Sequence, residues 1–396
     1  MKFSSRCEAC SLSPIRKFHP YVVAAEAAGR RVLHLNIGQP DVETPKAFFD
    51  AVRGFSDSVL AYAPAAGVDV YLEAVRDYYQ GFGVSLALED ILATYGGSEA
   101  LQLAAACILD DGDEVLVPEP FYPNYDTFIG VTGGKIVPIP TSSEEGYRYA
   151  RREKIEPLIG GHTKAIMITN PGNPTGAVLT PDELKLMLDI AKENDLCIVC
   201  DEVYREFVYG GEPLMSALQF EGYEDNVIVI DSVSKRFSAC GSRTGMLISK
   251  NKAFMSQAMK WCQCRLCSPT VDQVASAALY TLPADYFAEA RAEYKLRRDT
   301  LMAKIREIPG VICAEPKGAF YVMAALPVDD ADTFQHWLLN EFNDNGETVM
   351  FACGEPFYGT PNKGKNEVRM AYVLKQEDLE RAMDILKIAI EKYNNR

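Results

Sequence analysis

Apolar and polar positions alternate in blocks along the middle of this chain. Short apolar-rich runs at 91–95, 113–118, 135–139, 165–168, 196–200, 227–230 and 246–249 are each followed by a polar or glycine-rich stretch. Runs of that length, bounded by turn residues, predict buried strands. Between them, helical spacing predicts helices over Val70–Tyr79, from Gly96 through Leu101, Ala104, Ala105 and Ile108, and over Pro181–Glu193. Strands alternating with helices predict an α/β fold with a mostly parallel sheet covered on both faces. A further helix carries Met255, Met259 and Trp261, which read as core positions. A long charged helix follows, from Ala284 to Ile308. After Pro309 the pattern changes to shorter strands at 311–314, 319–325 and 368–372, with helices at 331–341 and up to Tyr393. This is the pattern of a smaller α+β body. Residues 14–30 also read as helical, with Val22, Val23, Ala25 and Ala28 at suitable spacing before Gly29.

Composition narrows the partners. The 396 residues are 48% hydrophobic, enough for a large core, and carry a net charge of −15 with a pI near 4.9. That charge opposes binding to nucleic acid or an anionic membrane. No apolar run approaches the roughly 18 residues that span a bilayer. Met1–Lys17 is polar and interrupted by Pro14, without the apolar stretch of a secretory signal. Eleven cysteines, an odd number lying mostly within apolar runs, fit a reducing compartment better than a disulfide framework. A cytoplasmic protein is the expectation. Cys197 and Cys200 have metal-ligand spacing, but three residues apart on a strand they face opposite sides and cannot chelate one ion. Cys7 and Cys10 have the same spacing near the amino end. The four histidines show no spacing suited to a metal or a nucleophile.

The chemistry gathers at the ends of the predicted strands. Asp231 to Gly245 reads D-S-V-S-K-R-F-S-A-C-G-S-R-T-G and follows the run Val227–Ile230. Lys235 therefore stands on a turn leaving a sheet, with Ser232 able to donate to a phosphate oxygen and Arg243 able to pair with the dianion through its fork of N–H groups. Such a set can hold a phosphorylated cofactor and form a Schiff base with it. Asp201 closes the run Leu196–Cys200, with Tyr204 one turn further on, and N-P-G-N-P-T-G from Asn170 to Gly176 closes Ala165–Ile168. Gly96, Gly97 and Ser98 open a helix directly after a strand, which makes an anion cup from free backbone N–H groups and the helix dipole. Together these segments converge on one rim of a sheet.

On S-x-S-K…R-x-G, N-P-x-N-P-T-G and D-E-x-Y, the chain resembles the fold-type I, pyridoxal-phosphate-dependent aminotransferases of class I/II, the aspartate aminotransferase family, from about Leu35 to Arg369. The resemblance implies a large domain over 46–290 built on a mostly parallel seven-stranded sheet, and a smaller α+β domain from 1–45 and 291–396. It implies pyridoxal 5′-phosphate on Lys235, with Asp201 on the pyridine nitrogen and Tyr204 and Asn173 on the ring's 3′ oxygen. Tyr122 would stack on the ring, and Gly97, Ser98, Ser232 and Arg243 would hold the phosphate. Arg369 would clamp the substrate α-carboxylate, aided by Gly38. Tyr62 would cross to the cofactor of a second copy, which implies a homodimer.

Arg265 lies near the place where dicarboxylate-specific relatives carry an arginine that serves the partner's site, so it is a candidate for the distal carboxylate. The alternative lysine after the glycine pair is absent, since Ser98 stands there. The chain departs from many relatives at Tyr71-Leu72, where they have Leu-Arg. The implied activity is transfer of an amino group between an L-amino acid (aspartate first, or an aromatic or broad set) and a 2-oxo acid such as 2-oxoglutarate. A cysteine-conjugate β-lyase or a decarboxylase would share Lys235 and Asp201. A cofactor-binding regulator is the non-enzymatic alternative.

Overall fold

The structure is a computed structural model and describes residues 1–210, 214–283 and 285–396. Its strands are, in chain order, β1 (Arg31–His34), β2 (Ile91–Thr94), β3 (Glu114–Pro118), β4 (Lys135–Ile139), β5 (Thr163–Thr169), β6 (Cys197–Asp201) and β7 (Val227–Ser232). They continue with β8 (Gly245–Ile248), β9 (Ile312–Cys313), β10 (Tyr321–Ala325), β11 (Glu347–Met350), β12 (Ala352–Cys353) and β13 (Glu367–Ala371). A seven-stranded sheet has the order β2-β8-β7-β6-β5-β3-β4. Within it β8 alone runs against its neighbours β2 and β7, and the other pairings are parallel.

The period-two geometry of a strand sends alternate side chains to opposite faces, and each face of this sheet has its own apolar core. Ile166, Ile168, Ile198, Cys200, Val227 and Val229 enter one core, with helices Asp69–Gln80, Pro181–Glu193 and Thr270–Leu279. Ala165, Met167, Val199, Ile228 and Ile230 enter the other, with helices Gly96–Ile108 and Lys252–Arg265. Cys197 packs on this second face, opposite to Cys200. Helix Pro181–Glu193 begins where the sequence predicts it because Thr180 and Glu183 cap each other reciprocally and Pro181 occupies the first turn.

A third core is built on the antiparallel sheet β12-β13-β10-β9, on the parallel pair β1-β11, and on helices Asp285–Ile305, Ala331–Asn340 and Gln376–Asn394. Tyr204, Phe207 and Tyr209, just beyond β6, are buried in it. Backbone bonds continue this junction: the N–H groups of Lys317 and Gly318 donate to Gly176 O at 2.8 and 3.0 Å, and Ala319 donates to Phe207 O at 2.8 Å. Gly176 sits at φ +68°, where a Cβ would lie 2.3 Å from Pro316 Cβ, so only glycine lets the two segments close.

Several expectations need correction. Residues 14–30 are not one helix: a 3₁₀ turn at Pro14–Arg16 precedes helix His19–Ala27, because Pro20 fits only in a first turn. Trp261 is 51% exposed, at the edge of the buried stripe Phe254, Met255, Ala258 and Cys262. The long helix is Asp285–Ile305, and Ala284 lies outside the described residues. Residues 141–160, for which the pattern predicts no element, include a helical turn at Arg152–Ile155. At the departure Tyr71-Leu72, both side chains are buried, and the Tyr71 hydroxyl donates to Gly245 O at 3.3 Å. Among the described residues no helix is long and apolar enough to cross a membrane.

The exit of β7 is braced from below. Asp231, fully buried, pairs with Arg236 and accepts from the Tyr79 hydroxyl at 2.9 Å and from Ser232 N at 2.7 Å. The Arg236 guanidinium lies 4.6 Å from the Tyr78 ring centroid. The pair spans the turn that carries Lys235. Removing one member leaves a buried charge unpaired, so Arg236→Met should cost about 3–5 kcal/mol of stability. Urea unfolding of the purified variant checks this, and a loss under about 1 kcal/mol would refute the bracing.

Candidate active site

Thr169 and Asp201 are register partners at the carboxyl ends of the parallel strands β5 and β6, and Ser232 ends β7 beside them. Open α/β sheets bind ligands at this edge. Here it forms the floor of a cavity of about 520 Å³ whose roof comes from Gly38, Tyr321 and Arg369.

Lys235 lies on the one-turn helix Val233–Arg236, and its Nζ donates to Gly38 O at 3.1 Å and lies 4.0 Å from Cys240 Sγ. Asp201 is buried and makes no ion pair among the described residues. Its Oδ2 accepts from the Tyr125 hydroxyl at 2.7 Å and its Oδ1 from Val203 N at 3.3 Å. Thr169 Oγ1 lies 2.6 Å from that tyrosine oxygen and donates to it when the tyrosine proton is on Asp201. Burial raises the Asp201 pKa to about 6 against the opposing pull of Tyr125. The carboxylate is thus held ready for a cation that no described residue supplies as an ion pair.

Arg369 on β13 is the complementary case. It is 2% exposed, donates to Asn36 O at 2.6 Å and Asn173 Oδ1 at 3.0 Å, and lies 4.5 Å from the Tyr321 ring centroid. Its Nε is buried without a partner, and burial lowers its pKa. No carboxylate among the described residues pairs with it. Asn173 Nδ2 points toward the Tyr204 hydroxyl at 3.5 Å, which in turn lies 3.0 Å from the Tyr321 hydroxyl. Burial first, then Tyr321, pushes the Tyr204 pKa well up. Gly38 lies directly under the Tyr321 ring, where a Cβ would come within 1.8 Å of the hydroxyl oxygen.

At the other end of the cavity, Arg243, in the left-handed region at φ +52°, donates to Tyr95 O at 3.2 Å and to Cys240 O at 3.0 Å. It lies across the start of helix Gly96–Ile108, so closely that a Cβ on Gly96 would be 2.5 Å from Nη2. Gly97 and Ser98 line the cavity there with free first-turn N–H groups. The Ser232 hydroxyl donates to Thr244 O at 3.1 Å, lies 2.7 Å from Ser234 Oγ, whose proton it accepts, and caps the Lys235 turn by accepting from Ser234 N. Ser234, beside it on the cavity wall, is the second hydroxyl at this end. Tyr122 lines the cavity above Asp201's partner Tyr125, edge-on to it at 5.6 Å, and accepts from Asn124 Nδ2 at 2.8 Å.

The structure therefore brings together Gly38, Gly97, Ser98, Tyr122, Asn173, Asp201, Tyr204, Ser232, Lys235, Arg243 and Arg369 around one cavity. It places two residues elsewhere. Tyr62 is 79% exposed on a separate groove with Leu60, Tyr95 and Thr270. Arg265 reaches inward, to Glu99 at 3.1 Å, Ser268 Oγ at 2.7 Å and the carbonyls of Ala65 and Ala93 at 3.0 and 3.2 Å. Its fork is occupied in bracing the ends of β2 and the Ala65 loop. Sequence reasoning missed Tyr125, Tyr321, Asn36 and Cys240. Only Tyr125 carried a signal, three residues beyond Tyr122 in the same polar segment. Among the described residues no three His, Cys, Asp or Glu side chains gather as a metal site.

The donor set fits a group with an anionic phosphate, a protonated ring nitrogen and an aldehyde carbon, as in pyridoxal 5′-phosphate: helix N–H groups and Arg243 for the first, the unpaired Asp201 for the second, Lys235 for the third. Arg369, its Nε without a partner, would then be left for a further anion.

Residues 30–386 match the family described as aminotransferase class I and II. An aspartate aminotransferase of Bacillus subtilis (strain 168) is 29% identical over 100% of both chains, and aromatic-amino-acid aminotransferase 2 of Thermococcus litoralis is 30% identical over 99% of each. The solved structure of an alanine aminotransferase from Pyrococcus furiosus superposes with a TM-score of 0.90 at 30% identity, covering 99% of this chain and 100% of that one.

Asp201 gives a pH signature of its own. A carboxyl whose folded pKa is raised keeps its proton where the unfolded chain has lost it, so stability falls as pH rises and stays lower above the folded pKa. With the folded value near 6, cofactor-free protein should lose up to about 3 kcal/mol between about pH 4 and pH 6. In Asp201→Asn that component of the loss should vanish. Parallel urea titrations of the two proteins across this range test it; identical pH profiles would contradict it.

Proposed function

Because the chain belongs to the class I and II aminotransferases, we propose that it uses pyridoxal 5′-phosphate to move the α-amino group between an L-amino acid and a 2-oxo acid, with 2-oxoglutarate as acceptor, in a ping-pong cycle. The observation that carries this reading is the pair of buried charged groups, Asp201 and Arg369, that make no ion pair among the described residues and line one cavity with the Lys235 amine. Relatives named for aspartate, aromatic amino acids and alanine share the α-amino and α-carboxyl groups of their substrates, and those are the groups this cavity addresses.

Bound pyridoxal 5′-phosphate would supply the electron-accepting ring that makes the substrate Cα–H acidic. Lys235 Nζ would anchor it and act as the base that holds and moves the proton at Cα. Asp201, ionised once a ring N–H⁺ pairs with it, would keep that nitrogen protonated, with Tyr125 and Thr169 fixing the carboxylate. Asn173 and Tyr204 would donate to the ring oxygen. The face of Tyr122 and the roof of Tyr321 would exclude water. Arg243 and the N–H groups of Gly97 and Ser98 would neutralise the phosphate. Arg369 would hold the α-carboxylate by charge-assisted hydrogen bonds, giving its orphan Nε a partner.

A homodimer is part of the proposal. Leu60 and Tyr62 are 66% and 79% exposed and line the groove near Pro269, with the 71% exposed Val59 next to them in the chain, an apolar stretch that supports burial against a second copy with Tyr62 reaching the partner's phosphate site. All eleven cysteines are free thiols, which supports a cytoplasmic setting.

Mixing the coloured holoprotein with single amino acids, without an oxo acid, should convert the bound cofactor to its amine form and release the matching oxo acid. Ammonia and pyruvate, or carbon dioxide, as products would sink the proposal. Lys235→Ala should abolish the conversion, and borohydride should fix the cofactor to Lys235 in the wild type only. Arg369→Met should raise the KM for amino acids at least about 100-fold, as expected for loss of a buried charged pair; an unchanged KM would remove Arg369 from substrate binding.

A further inference from the structure

Four cationic side chains line the cavity: Arg16, Lys235, Arg243 and Arg369, against the single carboxylate of Asp201. Three of the four are held by hydrogen bonds to Gly38 O, to Tyr95 O and Cys240 O, and to Asn36 O and Asn173. In the aminotransferase reading these three serve the cofactor and the substrate α-carboxylate, and any part for Arg16 in substrate choice rests on that same reading. Arg16 has no such task. Among the described residues its side chain makes no hydrogen bond, ion pair or cation–π contact, whereas its neighbour Lys17 is tied to Asp332 at 2.6 Å. An uncommitted guanidinium on a cavity wall is a ready partner for a second anion.

Its position suits a substrate side chain. The 3₁₀ turn Pro14–Arg16 lies against β12, whose Ala352 is the register partner of Arg369. Arg16 therefore rises from the same wall that carries the α-carboxylate clamp, but at the exposed rim, whereas Arg369 is buried. A substrate anchored by its α-carboxylate at Arg369, with its α-carbon toward Lys235, would have its remaining substituent inside the cavity whose wall also carries Arg16. Ile15 and Ile37, also on the lining, offer apolar contact to the methylene carbons between. Arg265, the other candidate for a distal carboxylate, has its fork occupied by Glu99, Ser268 and two carbonyls.

We propose that Arg16 recognises the distal carboxylate of the substrate, so that this chain selects dicarboxylic amino and oxo acids. The test compares holoenzyme carrying Arg16→Met, Arg16→Lys or Arg265→Met with wild type. Half-reactions are followed with glutamate and with norvaline, which lacks the distal carboxylate. Binding of the non-reacting acids succinate and butanoate is followed by the absorbance of the bound cofactor. Wild type should favour glutamate and succinate. In Arg16→Met both ratios, glutamate to norvaline in kcat/KM and succinate to butanoate in Kd, should fall about 10- to 100-fold, the range for a charge-assisted pair. Arg16→Lys should retain part of the preference.

Ratios that do not move, an equal loss for both members of each pair, or a loss confined to Arg265→Met would overturn the assignment. So would a wild type that shows no preference for the dicarboxylates. If wild type converts neither amino acid, the aminotransferase reading fails separately, and the succinate-to-butanoate comparison still decides Arg16.

Discussion

A carboxylate and a guanidinium are both buried in one cavity, and among the described residues neither is paired with an opposite charge. Asp201 sits at the end of a strand with only a tyrosine hydroxyl and a backbone N–H on its oxygens, and its proton affinity is raised. Arg369 faces it from another sheet with one nitrogen unsatisfied and its proton affinity lowered. Burying either group uncompensated is costly. An occupant that brings a cation to the first and an anion to the second removes both penalties, and this makes the cavity a place for a zwitterionic pair of molecules. The Lys235 amine lines the same cavity, held by Gly38 O.

Two cores contribute to that arrangement. Asp201, Lys235 and the helix at Gly96 belong to the seven-stranded sheet, whereas Arg369 and Tyr321 belong to the four-stranded one. Backbone holds them in register: Gly176 and Phe207 accept hydrogen bonds from the segment that leads into Tyr321. Beneath the sheet, the Asp231–Arg236 pair ties the Lys235 turn to helix Asp69–Gln80 through Tyr79. The polar groups of the site therefore rest on a second layer of polar groups, Tyr79, Asp231 and Arg236, that do not line the cavity.

Much of this was legible in the sequence for a specific reason. Strands of the central sheet announce themselves as short apolar runs because both faces are covered, and the helix from Pro181 announces itself by its reciprocal cap. The opposite facing of Cys197 and Cys200 followed from strand periodicity alone. Strand direction did not: nothing in Gly245–Ile248 distinguishes an antiparallel strand from a parallel one, since burial on both faces gives the same pattern. The two-residue strand β12 is shorter than any periodicity can register, whereas β9 falls inside the strand expected at 311–314. Tyr321 was hidden among apolar neighbours on β10, where every residue is buried, and its role depends on a contact 283 positions away in the chain. Trp261 shows the converse, an apolar residue at the margin of a stripe that the pattern assigns inward. Arg265 was placed by likeness to relatives, whereas its fork here meets Glu99 and three neighbouring oxygens.

The fit of Tyr321 over Gly38 ties the evolutionary histories of two distant positions together. Any side chain at 38, even a methyl group, would occupy the place of the phenol, so drift at 38 is blocked for as long as the ring remains. Exchange of the ring for something smaller lifts that block. A reshaped cavity is thus reachable in one order of steps and closed in the other, and directed-evolution libraries that diversify 38 alone would sample mostly dead sequences.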